Sequence, residues 1–266
     1  MRLKNKVVLV TASTRGIGLA CVKACAAEGA VVYMAARNAE RAQGVIDELG
    51  ALGQTVRYVY NDATEPESFT TMIDDVVAQE GRLDVLVNNF GTSDPRQDHQ
   101  ISNTDVDYYL NTINLNIGSV FRASQRAVVQ MRTQENGGSI INISSIGGLV
   151  PDVSQIAYGT SKAAINYLTK LISVQEAHHG IRCNAVLPGM TATDAVKSML
   201  SDEFKDVFMK STPMGRLAEP AEIAAAVVYF ASDEAAYTTG QILAVAGGFD
   251  ITTPVYGDFI HLSRSK

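Results

Sequence analysis

Short β-branched runs alternate with helix-periodic stretches along nearly the whole chain, and that rhythm leaves few architectures open. Residues 6–11 (KVVLVT), 31–35, 55–60, 84–87, 139–143, 181–186 and 241–245 read as strands. Most are continuously apolar rather than alternating, the mark of strands buried on both faces in a parallel sheet. Between them lie helical patterns: one ending near Gly29, one capped by Asn38 and running to about residue 52, one from Thr64 to about residue 79. Others run from about residue 104 to 131, through Tyr158 and Lys162, and over 220–231. The expectation is an α/β fold, a doubly wound parallel sheet of about seven strands, with residues 1–266 in one domain and no repeats or linkers. Residues 188–213 break the periodicity, with Met199, Leu200, Phe204, Val207, Phe208 and Met209 clustered late. This stretch, about 190–213, reads as a mobile lid helix over a pocket.

Composition narrows the class. A chain of 266 residues buries a good core without staples. Its net charge of −6, without a basic run or a basic-aromatic patch, argues against nucleic-acid partners. Cys21, Cys25 and Cys183 form no zinc spacing with the four histidines, so no metal is expected. Cys21 and Cys25 share one helix face as small core residues, which suits a reducing cytoplasm. No stretch is long and apolar enough to read as a membrane span or a signal peptide.

The first strand runs into Ala12-Ser13-Thr14-Arg15-Gly16-Ile17-Gly18 and then a helix with Ala20, Val22, Ala24 and Ala27. Strand, glycine turn and helix form a diphosphate site: glycines let backbone N–H groups approach the anion, and the helix N-terminus favours negative charge. At the end of the next strand an NAD site places an acid on the ribose 2′-hydroxyl. Here Ala36-Arg37 stands in that place, with no Asp or Glu from residue 31 to 38. Arg37 and Arg15 suit a 2′-phosphate, which guanidinium groups grip bidentately, so NADP is expected.

Tyr158 and Lys162 stand at i and i+4, on one helix face, thirteen positions beyond Ser145. An ammonium beside a phenol favours the phenolate, giving a proton donor or acceptor near neutral pH. With the nucleotide loop, the pair points to a reductase or dehydrogenase.

Taken in order, Thr11 to Gly18, Asn88-Asn89-Phe90-Gly91, Asn116, Ser145, Tyr158, Lys162 and the Pro188-to-Thr193 stretch resemble the short-chain dehydrogenase/reductase family, over essentially the full length. Two positions depart from its pattern. Ala12 replaces the first glycine, a change a tight turn tolerates where φ is negative. Phe90 replaces an alanine and is expected to narrow the pocket floor.

The resemblance implies a Rossmann-type fold and a set of roles. Tyr158 would be general acid or base, and Lys162 would lower its pKa and bind the nicotinamide ribose. Ser145 would hold the substrate oxygen with Tyr158, and Asn116 would hold a water behind the lysine. Ser13, Arg15, Gly16, Ile17, Gly18, Arg37, Asn38, Asp62, Ala63, Asn89, Gly91, Pro188, Gly189, Thr191 and Thr193 would contact the cofactor, with Asp62 at the adenine and both threonines at the carboxamide. Assembly as a homotetramer is implied too, and the apolar stretches 120–129 and 165–174 offer surplus hydrophobic surface for it.

A narrower resemblance covers Asn88 to Gly91, Ser154 to Tyr158, Arg182 to Gly189 and the tail from Val245 to Pro254. These segments look like the bacterial 7α-hydroxysteroid dehydrogenases, which implies a bile acid or other apolar steroid as substrate. Phe90, Val150, Val153, Met190, Met199, Phe204 and Phe208 could line the slot such a molecule needs. Arg96, His99, Lys197 and Arg216 are candidate cations for its carboxylate. Two other readings stay open. A 3-oxoacyl-thioester reductase would be expected to show a basic patch for an acidic carrier protein. A non-catalytic NADP-binding protein would be free to lose Ser145, Tyr158 or Lys162.

Overall fold

The computed structural model describes residues 1–199 and 201–264. Seven parallel strands form one sheet in the order β3-β2-β1-β4-β5-β6-β7. They are β1 (Val7–Thr11), β2 (Val31–Ala36), β3 (Thr55–Tyr60), β4 (Val85–Asn88), β5 (Gly138–Ile143), β6 (Ile181–Pro188) and β7 (Ile242–Val245). The main connecting helices are α1 (Gly16–Ala27), α2 (Ala39–Gly50), α3 (Ser68–Glu80), α4 (Val106–Met131), α5 (Ile156–Glu176) and α8 (Pro220–Ala231). Two shorter helices, α6 (Asp194–Met199) and α7 (Asp202–Lys210), follow β6, and α9 (Tyr256–Arg264) follows β7. The doubly wound sheet expected from the sequence is present.

Both faces of the sheet are covered, which explains the unbroken apolar strands. All five residues of β1 are buried, paired with β2 through Val8↔Val32 and with β4 through Val8↔Val85. On one face Val8, Val10 and Val87 pack against Cys21, Val22 and Cys25 of α1 and Ile223 and Val227 of α8. On the other, Leu9, Leu86 and Ile140 pack against Phe69, Met72 and Ile73 of α3 and Ala123 and Ala127 of α4. Burial pushes the Cys25 thiol up to about 12 and raises Cys21 and Cys183 as well, so all three are core residues with little thiolate character.

Three local expectations are corrected. The helix expected from Thr64 begins at Ser68. Asp62 accepts hydrogen bonds from the Thr64 backbone and hydroxyl at 2.9 Å each, and Pro66 disfavours helical geometry at Glu65. The single lid helix is two helices, α7 starting afresh where the Ser201 hydroxyl accepts from the Phe204 N–H at 3.2 Å. Leu200 lies outside the described residues, as does the Met199 side chain.

The third correction is Ala12, whose φ is +50° rather than negative. An L-residue there costs roughly 1–2 kcal/mol. The Ala12 carbonyl, turned by that conformation, accepts from Asn89 Nδ2 at 3.1 Å, which offsets part of the cost. Among the described residues no helix is long and apolar enough to cross a membrane, and no His/Cys/Asp/Glu cluster suits a metal ion.

Candidate active site at the strand C-terminal ends

Strand order reverses between β1 and β4, so their following loops part and leave a crevice at the C-terminal edge of the sheet. Thr11 bridges it: its hydroxyl accepts from the backbone N–H of Asn89 at 2.9 Å and of Phe90 at 3.0 Å. Asn89 returns the tie, donating Nδ2 to Thr11 O and Ala12 O. A Cβ on Gly18 would meet Asn89 Nδ2 at 2.5 Å and Ala12 O at 2.6 Å, so only glycine fits there. Gly16 takes φ +56° and packs beneath Thr193. Arg15, the N-cap residue of α1, supplies no side-chain cap, leaving the helix N-terminus open to an anion. These features fit a dinucleotide diphosphate.

A cleft of about 230 Å³ adjoins this loop. Ile17, Asn89 and Gly91 line one side, Ser145, Tyr158 and Lys162 another, and Pro188, Gly189, Thr191 and Thr193 a third. Ile143, Ser144, Met190 and Val196 complete it. The remaining sequence-derived cofactor residues sit beyond, on the β1, β2 and β3 ends. Ser13 is buried and its hydroxyl donates to Ala35 O at 3.5 Å, so its side chain faces the sheet. Asn38 accepts from the Arg41 N–H as the cap of α2. The exposed Arg37 reaches within 3.8 Å of Asp62, and Ala63 is half-buried against the core. Asp62 is held below its usual carboxylate range first by the Thr64 backbone, then by the Thr64 hydroxyl and Arg37. A larger hollow of about 760 Å³ lies at the opposite end of the strands, but its Lys6 and Arg82 are already bound to Asp233 and Asp84, and none of the residues above lines it.

Lys162 is 3% exposed, and its ammonium donates to Ile143 O at 2.9 Å. It lies 5.5 Å from the Tyr158 ring centroid, over the ring face. Burial lowers its pKa from 10.5 to about 8. Burial also raises the Tyr158 phenol, against a hydrogen bond from Ser145 that lowers it. In the cleft, desolvation of the phenolate is the largest influence on Tyr158 and outweighs the Ser145 hydrogen bond.

Asn116 is fully buried, and its amide clasps the Thr92 backbone from both sides. Its Oδ1 accepts from Thr92 N–H at 2.8 Å and its Nδ2 donates to Thr92 O at 2.9 Å. Nδ2 also donates to the Ser161 hydroxyl at 2.9 Å, which donates in turn to Tyr158 O at 2.7 Å. The side chain is thus a backbone clamp first, with one oxygen lone pair left over. The sequence reading missed Ser161 and also Asp98, a buried carboxylate that accepts from the backbone N–H groups of Ala157 and Tyr158. Ser161 could have been found from its i, i+3 spacing to Tyr158, whereas Asp98, sixty positions from Tyr158, carries no spacing signal.

The expected steroid slot is only partly assembled. Phe90 points away from the cleft, packing edge-to-face on Phe69 at 5.8 Å between centroids. Val153 is 82% and Phe204 50% exposed. Met190 lines both the cleft and a small neighbouring cavity that it shares with Phe208, Met209 and Met214. Val150 is half-buried after β5. Of the candidate cations, Arg96 is bound bidentately by Asp94 and Arg216 by Glu222.

With this geometry established, similarity decides the family. Residues 11–250 match a family model described as enoyl-(acyl carrier protein) reductase. The chain is 46% identical over 258 residues to a 7α-hydroxysteroid dehydrogenase of Clostridium sardiniense, covering 97% of this chain and 98% of that one. It is 38% identical to a 7α-hydroxysteroid dehydrogenase of Bacteroides fragilis, covering 95% and 97%. A solved 7α-hydroxysteroid dehydrogenase complexed with NADH and 7-oxo glycochenodeoxycholic acid superposes with a TM-score of 0.87 at 31% identity, covering 93% of this chain and 95% of that one. The chain belongs to the short-chain dehydrogenase/reductase family. It is an oxidoreductase, and the family works with a nicotinamide cofactor.

In this short-chain dehydrogenase/reductase the buried lysine has a measurable signature. Its folded pKa lies below its unfolded one, so the unfolded chain holds the proton more tightly between them and stability rises with pH there. Compared with Lys162→Met, the wild type should gain stability as pH rises from about 8 to 10.5 and show no such gain below about 8. Urea unfolding of both proteins across that range checks it; parallel curves would show an ammonium that is not desolvated.

Proposed function

We propose that this chain is an NADP-dependent 7α-hydroxysteroid dehydrogenase that interconverts the 7α-hydroxyl and 7-oxo groups of bile acids. The observation that carries the substrate reading is near-full-length kinship with enzymes of that activity, 46% identical in one case. The cleft supports the chemistry, because it gathers Ser145, Tyr158 and Lys162 beside Asn89, Gly91 and the Pro188–Gly189 turn.

In the oxidising direction Tyr158 takes the proton of the substrate hydroxyl, and in the reducing direction its phenol returns one to the carbonyl oxygen. A bound nicotinamide supplies the hydride acceptor or donor. Ser145 hydrogen-bonds the same oxygen, fixing the substrate carbon for transfer. Lys162 binds the nicotinamide ribose and passes the proton on; Asn116, through its spare lone pair, holds the relay water behind it. Thr191 and Thr193 hold the carboxamide. The steroid body runs from the cleft past Met190 toward Val150 and the Phe208–Met209–Met214 wall, whose thioethers adapt to its shape. Arg96 and Arg216 are neutralised in ion pairs, leaving the Lys197 ammonium and the His99 ring as partners for the bile-acid carboxylate.

Three tests follow from this reading. Nicotinamide absorbance is followed with NADP⁺ and two bile acids that differ only at the 7-hydroxyl epimer, with an acetoacetyl thioester and NADPH alongside. The 7α epimer alone should turn over, and Tyr158→Phe should abolish that turnover while still binding NADPH. Turnover of the thioester alone would make the chain a 3-oxoacyl-thioester reductase.

NADP preference rests on Arg15 and Arg37 and on the missing acid at the end of β2. Arg37→Ala should raise KM for NADP⁺ roughly tenfold, the loss of one charge-assisted phosphate contact, and leave that for NAD⁺ within about twofold. Equal effects would remove the 2′-phosphate assignment.

Assembly as a homotetramer fits the exposed apolar residues Phe121, Val129, Tyr167, Leu171 and Val174 on α4 and α5. Light scattering at micromolar concentration should give four times the chain mass, and a clean monomer mass would reject it.

A further inference from the structure

Helix α5 carries Tyr158 in its first turn, yet it lacks the usual means of starting a helix. Its N-cap, Gln155, sits in the left-handed region at φ +59° and provides no side-chain cap, and its first turn holds no acidic residue. The cap comes instead from another part of the chain. Asp98, in the segment between β4 and α4, is 1% exposed. Its Oδ1 accepts from the Ala157 N–H and its Oδ2 from the Tyr158 N–H, both at 2.9 Å. Its backbone carbonyl accepts from Gln155 N–H at 3.1 Å, and that of His99 from Ile156 N–H at 3.3 Å. Four consecutive donors, 155 to 158, are therefore satisfied by two adjacent residues.

The peptide group on the other side of Tyr158 is also held. Its carbonyl accepts from Ser161, which accepts from Asn116, which clasps Thr92. Asp98 and Thr92 belong to the same segment, whose turn is closed by Asp94 accepting from Arg96 and Gln97 and tethered by the Tyr108 hydroxyl. The loop thus holds the Tyr158 N–H directly, and it is linked to the Tyr158 C=O through Asn116 and Ser161.

We propose that Asp98 is a positioning residue for Tyr158: its carboxylate caps α5 across the fold and fixes where the phenol stands relative to Ser145 and the bound substrate. The negative charge at a helix N-terminus is favourable on its own account. The consequence for function is geometric, since a displacement of about 1 Å in a reacting group costs on the order of a hundredfold in rate. Proton transfer by Tyr158, the reading this proposal rests on, is the step that displacement affects.

The test uses Asp98→Asn and Asp98→Ala in the full chain, with Tyr158→Phe as control. Three quantities are read: kcat and KM with NADP⁺ and the 7α-hydroxy bile acid, the NADPH dissociation constant by fluorescence, and amide exchange over residues 155–161. Asp98→Ala should lower kcat by about 10–100-fold while the NADPH dissociation constant stays within about twofold. Exchange over the first turn of α5 should quicken with it. Asp98→Asn keeps one acceptor and should recover part of the rate.

Unchanged kcat in both variants, with Tyr158→Phe inactive, would overturn the role of Asp98 and leave the catalytic reading intact. Activity retained in Tyr158→Phe would overturn the catalytic reading, and the positioning role with it. A fall of kcat and cofactor affinity together in Asp98→Asn would mark Asp98 as a general structural residue and overturn the proposal. Should Asp98→Ala not fold, Asp98→Asn alone decides. Should the bile acid not be turned over, unaltered exchange in either variant still overturns it.

Discussion

The β1–β4 junction is the constraint on which the rest of this molecule depends. Strand order reverses there, so two loops that would otherwise travel together diverge and open a crevice. Left alone, such a junction would be soft, because the hydrogen bonds of both strands end at it. Four hydrogen bonds close it, all donated from the β4 end (the Asn89 and Phe90 N–H groups and Asn89 Nδ2) to Thr11 and Ala12 at the β1 end. The same contacts force glycine at position 18 and hold Ala12 in a conformation it would not choose alone. The diphosphate loop, the β4 end and the cleft floor are in effect one hydrogen-bonded unit.

Across the cleft, the reactive side is built on different physics. A lysine buried to 3% exposure is expensive, and the structure keeps the cost tolerable with one strong acceptor, Ile143 O, and the Tyr158 ring face. A phenol desolvated beside it is held protonated. Burial thus shifts both groups toward their neutral forms, and a bound cationic nicotinamide would supply charge that favours the phenolate. Backbone anchoring of the first α5 turn keeps that pair in register with Ser145.

Much of this was legible in residue order. Strand positions followed from continuous apolar runs, and Asn38 as a helix cap followed from its residue type and place. Ser145, Tyr158, Lys162, Asn89, Gly91 and the Pro188-to-Thr193 stretch do meet in one cleft. What escaped was set by contacts between distant segments. Phe90 looked like a pocket residue until Phe69, twenty-one positions back, was seen to take its ring. The start of α3 depended on side-chain bonds around Asp62 that outweigh helical periodicity. Arg96 and Arg216 looked like free cations until their carboxylate partners were placed.

The sequence by itself determined the fold class, the nucleotide-binding turn and the identity of the reactive side chains, because these are written in local periodicity and short spacings. Only the tertiary structure decided the sign of φ at Ala12, the direction of Phe90, the protonation balance of Tyr158 and Lys162, and the cap that Asp98 gives α5. Each of those is a property of burial or of a contact across tens of residues. Desolvation and long-range hydrogen bonding arise only when segments that share no sequence pattern are brought together.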